Sequence, residues 1–330
     1  MTPEQENEQA RQAANAELRA LFEVPADAKC LTPQDASRDI LYGRAPDESV
    51  EIEVGGRKFG AEFYVPQGEA PKVWVVAQHG YAGRARDYSK LAELLNAEGI
   101  GVVALDMHAH GKNDTERMSM RTDEWADVAA QAPELMRDKM QAEKLIFIGQ
   151  SSGGSGGAGM LVEEKTHHPY DGAVLIGPTL ITVHPELVEQ MDTVVGKYTS
   201  KDGEVMIDFG WLAPLMNQMH DERLNRAYQT HFTTTPGFPY RAAREAIAIP
   251  RERIIDRLGR IDVPTIMVKG EHDHEDDVSL KIAQEELVKQ SNQNIEIRPP
   301  IQGAGHQAHI EKPEVIAQLI KELLSKSSKS

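Results

Sequence analysis

The sequence predicts an α/β protein, a mostly parallel, doubly wound sheet with a helical insertion after its fourth long apolar strand. Three observations carry that prediction. Short apolar runs alternate with amphipathic stretches along most of the chain, the runs are nearly continuous in apolar character, and residues 179–260 break the rhythm. Strands covered on both faces read as continuous apolar runs, and their alternation with helices argues for crossover connections and a parallel sheet.

Taken in order, residues 3–22 are rich in Glu, Gln and Ala, with Leu18, Leu21 and Phe22 near the end. That composition predicts a mostly solvated helix packed by its last turn, within an N-terminal extension spanning residues 1–48. From Ser49 the runs VEIEV and FGAEFYV flank Gly55-Gly56, the signature of a hairpin. Six further strands are expected at 72–78, 101–107, 144–149, 172–177, 265–270 and 294–299. Between them lie amphipathic stretches such as DYSKLAELLNAEG and TDEWADVAAQAPELMRDKM, and PEVIAQLIKELL closes the chain. The core is therefore assigned to 49–178 and 261–330.

Residues 179–260 contain no buried-strand pattern but hold many of the Met and aromatic residues: Met191, Met206, Phe209, Trp211, Met216, Met219, Tyr228, Phe232, Phe238 and Tyr240. A structureless loop of that length is uncommon. The segment is expected to be a helical cap over the carboxyl edge of the sheet, where ligands bind in such folds. Most of these side chains are expected to pack the cap's own small core.

Composition narrows the function. Asp and Glu number 52 against 36 Lys and Arg, a net charge of −16, so no basic footprint for nucleic acid or an anionic membrane is present. A single cysteine, Cys30, excludes an internal disulfide framework and a Cys-based zinc site. The first residues, MTPEQENEQARQ, lack the basic and apolar regions of a signal peptide, and no apolar run approaches the ~18 residues of a membrane span. A soluble, cytoplasmic protein acting on a small molecule is expected.

The strongest chemical signal is Gly149-Gln150-Ser151-Ser152-Gly153, a G-x-S-x-G directly after the apolar strand KLIFI and before a small-residue helix start. A serine on a sharp strand-to-helix turn is strained, and side chains two residues to either side would clash there. Ser151 is therefore the expected nucleophile. A serine hydroxyl needs a base, itself oriented by an acid. Downstream, Asp273 follows the strand TIMVKG, and His306 follows NIEIRP within Gly303-Ala304-Gly305-His306. Asp276 and Asp277 rival the acid but are better placed to start the next helix, where acidic residues suit the dipole. His309 rivals the base. The oxyanion donors are expected to be the Ser152 N–H and, in His79-Gly80-Tyr81-Ala82-Gly83, the Tyr81 N–H. Gly80 and Gln150 beside them are expected to contact substrate.

These motifs resemble the α/β-hydrolase superfamily, and within it the monoacylglycerol lipase and lysophospholipase-type serine hydrolases. The resemblance spans about residues 50–325 through HGYAG, LDMHAHGKND, GQSSGG, GEHD and GAGHQAHIEKP. It implies Ser151, Asp273 and His306 as the triad, the Tyr81 and Ser152 amides as oxyanion donors, and cofactor-free hydrolysis of a carboxylic ester through an acyl-enzyme. Such lipases commonly carry His before the nucleophile and Met after it. Gln150 and Ser152 stand there instead, so the elbow is more polar and a small to medium acyl chain is expected.

A lactonase, an amidase or aminopeptidase, a carbon–carbon bond hydrolase or an acyltransferase would use the same triad. A non-catalytic binder on this fold is the alternative of another class. A Ser nucleophile excludes haloalkane dehalogenase and epoxide hydrolase chemistry, which use Asp. The clusters His108-Ala109-His110 and His272-Asp273-His274-Glu275-Asp276-Asp277 invite a metal reading. Gly111-Lys112 follows the first where a lactonase-type metal site places an Asp-His pair, so no metal is expected, and Asp106 and His110 are expected to brace their loop.

Overall fold

The computed structural model describes residues 2–25, 36–107, 110–111, 113, 121–163, 168–198, 205–208, 218–234, 238–273 and 277–327. Helix α1 (Pro3–Leu21) precedes the strands β1 (Glu48–Val54), β2 (Arg57–Tyr64) and β3 (Val73–Gln78). Helix α2 (Ser89–Asn96), strand β4 (Gly101–Asp106), helices α3 (Thr122–Leu135) and α4 (Arg137–Met140), and strand β5 (Lys144–Gln150) follow. Then come α5 (Ser152–Val162), β6 (Gly172–Ile176), α6 (Pro185–Gly196), the short β7 (Met206–Ile207), α7 (Glu222–Thr234), β8 (Phe238–Pro239) and α8 (Tyr240–Ile247). The chain closes with β9 (Thr265–Val268), α9 (Asp277–Gln290), β10 (Ile295–Ile297), α10 (Ala308–Glu311) and α11 (Pro313–Ser327).

Eight strands form one sheet in the order β1-β2-β4-β3-β5-β6-β9-β10. The Gly55-Gly56 hairpin pairs β1 with β2 antiparallel, β2 pairs antiparallel with β4, and the remaining strands are parallel. All residues of β4 and β6 are buried, as parallel strands under helices require. Strand period sorts the core into two layers. Val75, Ala77, Ile146 and Ile148 face Leu91 and Leu95 of α2 and Ile316 and Ile320 of α11. Trp74, Val76 and Phe147 face Trp125 of α3 and Met160 of α5 on the opposite side.

Among the described residues, the segment between β6 and β9 holds the helices α6, α7 and α8 and a two-residue pairing of β7 and β8. Phe209, Trp211, Met216 and the Asp276 rival lie outside the described residues. Met191, Met219, Tyr228 and Tyr240 are buried, but in one continuous cluster with Trp74, Trp125 and Phe147 of the main core and not in a separate core of the insertion.

The N-terminal helix is more engaged than its polar composition predicts. Thr2 and Gln5 close a capping box at its start. Ala14 and Leu18 are buried, Asn15 Nδ2 donates to Met206 O at 2.9 Å, and Asp208 N donates to Asn15 Oδ1 at 2.8 Å. Glu17 pairs with Lys197 at 2.6 Å and accepts from the Tyr198 hydroxyl. Part of the extension is thus tied to the insertion by backbone-directed amides, a register that apolar spacing alone does not specify. Further along, Arg38 Nε donates to Thr230 Oγ1 at 2.7 Å.

Burial also sets proton affinities. His79 and His309 are held neutral because desolvation disfavours the imidazolium, lowering them to about 4 and about 3. In the unfolded chain both would protonate near ~6.5, so as pH falls below that value the unfolded state takes up protons that the native state refuses, and stability drops. Asp87 acts in the opposite sense. Burial pushes its carboxyl up to about 7, so below that pH the native state holds a proton that an unfolded aspartate releases down to ~3.9. His309→Gln is expected to flatten the acid loss of urea resistance between pH ~6.5 and ~4, and Asp87→Asn to steepen it. Superimposable pH profiles of the urea midpoint for the three proteins would contradict this assignment.

Candidate active site

Ser151 occupies the turn between β5 and α5 with φ 52° and ψ −120°, a conformation outside the regions ordinary residues favour. Backbone bonds hold it there: its N–H donates to Ile176 O at 2.8 Å, and its carbonyl accepts from Ser155 N at 2.8 Å. The two glycines of the motif have a direct steric cause. A Cβ on Gly149 would stand 2.6 Å from Gly153 C, and one on Gly153 would stand 2.6 Å from His79 O. Ser152 is the first residue of α5, where an N–H has no intrahelical acceptor and points out along the axis. The oxyanion expectation for its amide rests on that position.

Asp273 follows β9 and His306 follows β10, both just beyond the carboxyl ends of parallel strands. Their side chains meet: His306 Nδ1 lies 2.9 Å from Asp273 Oδ2, with the carboxylate fully buried and the imidazole 6% exposed. The acceptor carboxylate assigns the Nδ1 proton and leaves the lone pair on Nε2. Lys269 Nζ donates to the Asp273 carbonyl at 2.6 Å, anchoring the turn that carries the acid. Gln150 Nε2 donates to the His306 carbonyl at 3.2 Å, so the residue before Ser151 ties the elbow to the histidine loop. Gln150 is itself buried, and this bond to His306 is the role its placement gives it.

The rivals are placed differently. Asp277 begins α9, as the dipole argument expects. His309 is buried on α10 with its ring against Tyr88, centroids 4.6 Å apart, and neither ring nitrogen has a hydrogen-bond partner among the described residues.

The third part is the loop after β3. Gly80 approaches Ser151 closely, since a Cβ there would stand 2.7 Å from Ser151 Cβ. Gly83 N donates to Gly80 O at 3.0 Å, and Ala82 takes φ 59°, so residues 80–83 form a tight turn with Tyr81 at its second position. Two histidines brace this turn. His79 Nδ1 lies 2.6 Å from Gly80 O, and His79 Nε2 accepts from Met107 N at 2.9 Å, which assigns the neutral Nδ1–H tautomer. His110 Nε2 accepts from Ala82 N at 3.0 Å, while its ring packs edge-on against Tyr81 and Trp125. Asp106 Oδ1 accepts from Ala85 N at 2.7 Å, so Asp106 and His110, expected to brace the loop after their own strand, here brace the loop after β3.

His79 has a role that sequence reasoning passed over. The available signal was its position at a parallel strand's carboxyl end, immediately before a glycine. His108, His274, Glu275 and Asp276 lie outside the described residues, and no metal-binding cluster of His, Cys, Asp and Glu occurs among the described ones. No helix among the described residues is long and apolar enough to cross a membrane.

Comparison with known proteins gives the family and the fold. The family model described as serine aminopeptidase, S33, matches residues 69–313. A proline iminopeptidase of Thermoplasma volcanium is 21% identical over 233 residues, covering 64% of this chain and 77% of that protein. A monoglyceride lipase of Rattus norvegicus is 24% identical over 172 residues, and the chain spans about half of that lipase, 53%, through 50% of its own length. Among solved structures, a thermophilic esterase of Thermogutta terrifontis superposes with TM-score 0.64 at 19% identity, over 85% of this chain and 99% of that one. The sheet order, the strand-to-helix elbow and the family match lead to one assignment: the chain is an α/β-hydrolase and belongs to the serine aminopeptidase S33 family.

Proposed function

We propose that the protein is a serine hydrolase cleaving carboxylic esters of small to medium acyl chain through an acyl-enzyme. The observation that carries this reading is the buried His306–Asp273 pair at 2.9 Å, on a loop bonded to the Ser151 elbow through Gln150. With Nδ1–H directed at Asp273, His306 Nε2 is the base. It takes the Ser151 proton as Oγ attacks the carbonyl carbon, then delivers it to the leaving alcohol as the tetrahedral intermediate collapses. Asp273 keeps the tautomer and offsets the imidazolium charge. Water repeats the sequence: His306 deprotonates it, it adds to the acyl carbonyl, and collapse returns the proton to Ser151 and releases the acid. The amides of Tyr81 and Ser152 receive the oxyanion, and loss of one such donor typically costs ~10²–10³ in turnover.

The insertion between β6 and β9 is read as a cap that shapes the cleft. Two bonds support its placement beside the base: Gln307 N donates to Gln218 O at 2.9 Å and Gln307 Nε2 to Gln218 Oε1 at 3.0 Å. The polar elbow supports a modest acyl chain over a long lipid one. A second reading, amide or peptide hydrolysis by the same groups, is favoured by the family's description and the proline iminopeptidase relative.

A fluorophosphonate probe is expected to add once, on Ser151, and to fail in His306→Ala, as read by intact mass and peptide mapping. Ser151→Ala is expected to lower ester turnover by ~10⁴-fold or more with unchanged thermal unfolding; undiminished hydrolysis would exclude the mechanism. Side-by-side rates on p-nitrophenyl esters and prolyl amides separate the two readings. His110 is assigned as a positioning residue for the oxyanion turn. His110→Leu strands the Ala82 N–H and is expected to lower kcat by ~10–10²-fold with little change in KM, and His110→Gln to recover part of the loss. Equal kcat in all three proteins would remove His110 from that role.

A further inference from the structure

We propose that the protein carries a second small-molecule site, an anion pocket for a multiply charged phosphate or carboxylate group, between the N-terminal extension and the loop that holds His306. A cavity of about 720 Å³ opens there, within the range of small-molecule sites. Ser37 of the extension, Arg223 and Arg226 of α7, Gly303, and Lys312 at the start of α11 form its walls. Ser151, Asp273 and His306 are not among them.

Charge is the reason to assign it to an anion. The chain has 52 acidic and 36 basic residues, and its surface cations are commonly paired, as Arg257 is with Glu163 and Lys321 with Glu98. Arg223, Arg226 and Lys312 have no such partner: no carboxylate among the described residues pairs with any of them, yet all three converge on one cavity. Arg223 and Arg226 stand three residues apart on α7 and so share a face. Lys312 Nζ stands 3.9 Å from the position a Cβ on Gly303 would take, so ammonium and glycine are neighbours in the cavity wall.

Two acids also line the cavity, Asp221 and Glu222. Asp221 Oδ1 is occupied by Leu224 N at 2.9 Å, capping α7, and Asp221 N is held by Glu311 Oε1 at 2.7 Å. Glu311 and Glu271 also stand beside the wall, but each accepts from backbone N–H groups, Asp221 and Gly305 for Glu311 and Gly303 for Glu271, and neither pairs with the three cations. Guanidinium groups grip phosphate and carboxylate in bidentate fashion, and an ammonium adds a point charge. A group of two or more negative charges can engage all three cations, whereas a neutral or cationic ligand leaves them unmatched. Ala36 and Ile40 supply an apolar wall for the body that carries such a group.

The test is isothermal titration of the full chain at low salt with pyrophosphate and, separately, tricarballylate, a tricarboxylate. Saturable binding of one of them is expected, weakened at least tenfold in Arg223→Gln/Arg226→Gln and in Lys312→Gln, reduced by added sodium chloride, and unchanged in Ser151→Ala. The probe that binds distinguishes a phosphate ligand from a carboxylate one. Absence of saturable binding with both probes, equal affinity in the folded variants, or loss of binding in Ser151→Ala would each overturn the proposal. Labelling of Ser151 by fluorophosphonate reads the hydrolase assignment independently.

Discussion

The structure around the site depends on one steric constraint: Ser151 must hold a positive φ on a turn squeezed between β5 and α5. A non-glycine residue in such a conformation costs of order 1–3 kcal/mol and persists only where the surroundings over-determine it. Here the surroundings do so through backbone contacts. Gly149 meets Gly153, Gly153 meets the carbonyl of His79, and Ile176 and Ser155 hold the two backbone groups of Ser151 itself. The close approach of β3 to the elbow is possible because no side chain lies between them, and that approach brings the Gly80–Gly83 turn beside the serine.

Parallel topology does the rest of the assembly. β3, β5, β9 and β10 run in the same direction, so the loops after them emerge on one edge. Ser151, Asp273, His306 and the Gly80–Gly83 turn come from four separate stretches of chain, yet short loops suffice to bring them to that edge. Burial then sets their electrostatics. Asp273 has no exposure and faces one imidazole nitrogen, while His79 loses its affinity for a second proton and serves as a fixed donor and acceptor. A histidine that charged near neutral pH would release Met107 N–H and loosen the turn. Desolvation protects that turn from ordinary changes of pH.

Polar anchoring explains how an acidic, Gln-rich N-terminus becomes part of the molecule. Its apolar contribution is small, Ala14 and Leu18, but Asn15 is bonded to both backbone partners around β7 and Arg38 reaches Thr230. Helix α1 therefore stabilises the insertion, while residues 40–47 of the extension are bonded to β2 and α2, as through Gly43 N to Ser89 Oγ at 2.9 Å and Asp47 N to Phe63 O at 2.8 Å. The extension also supplies a wall to the cavity beside Gly303, a contact between two segments about 265 residues apart in sequence.

The sheet, its crossovers and the elbow are legible in the amino-acid chain, because these depend on local pattern: apolar runs, turn glycines and a G-x-S-x-G placed between a strand and a helix. Strand ends named Asp273 and His306, since topology sends both to the carboxyl edge. Tertiary structure supplied the contact itself, in which His306 meets the carboxylate while His309, three residues on, is buried against Tyr88. The brace by His79, the docking of α1 and the convergence of Arg223, Arg226 and Lys312 were likewise not legible. Each is a contact between distant segments through single polar atoms, and such contacts leave no periodic trace in the chain.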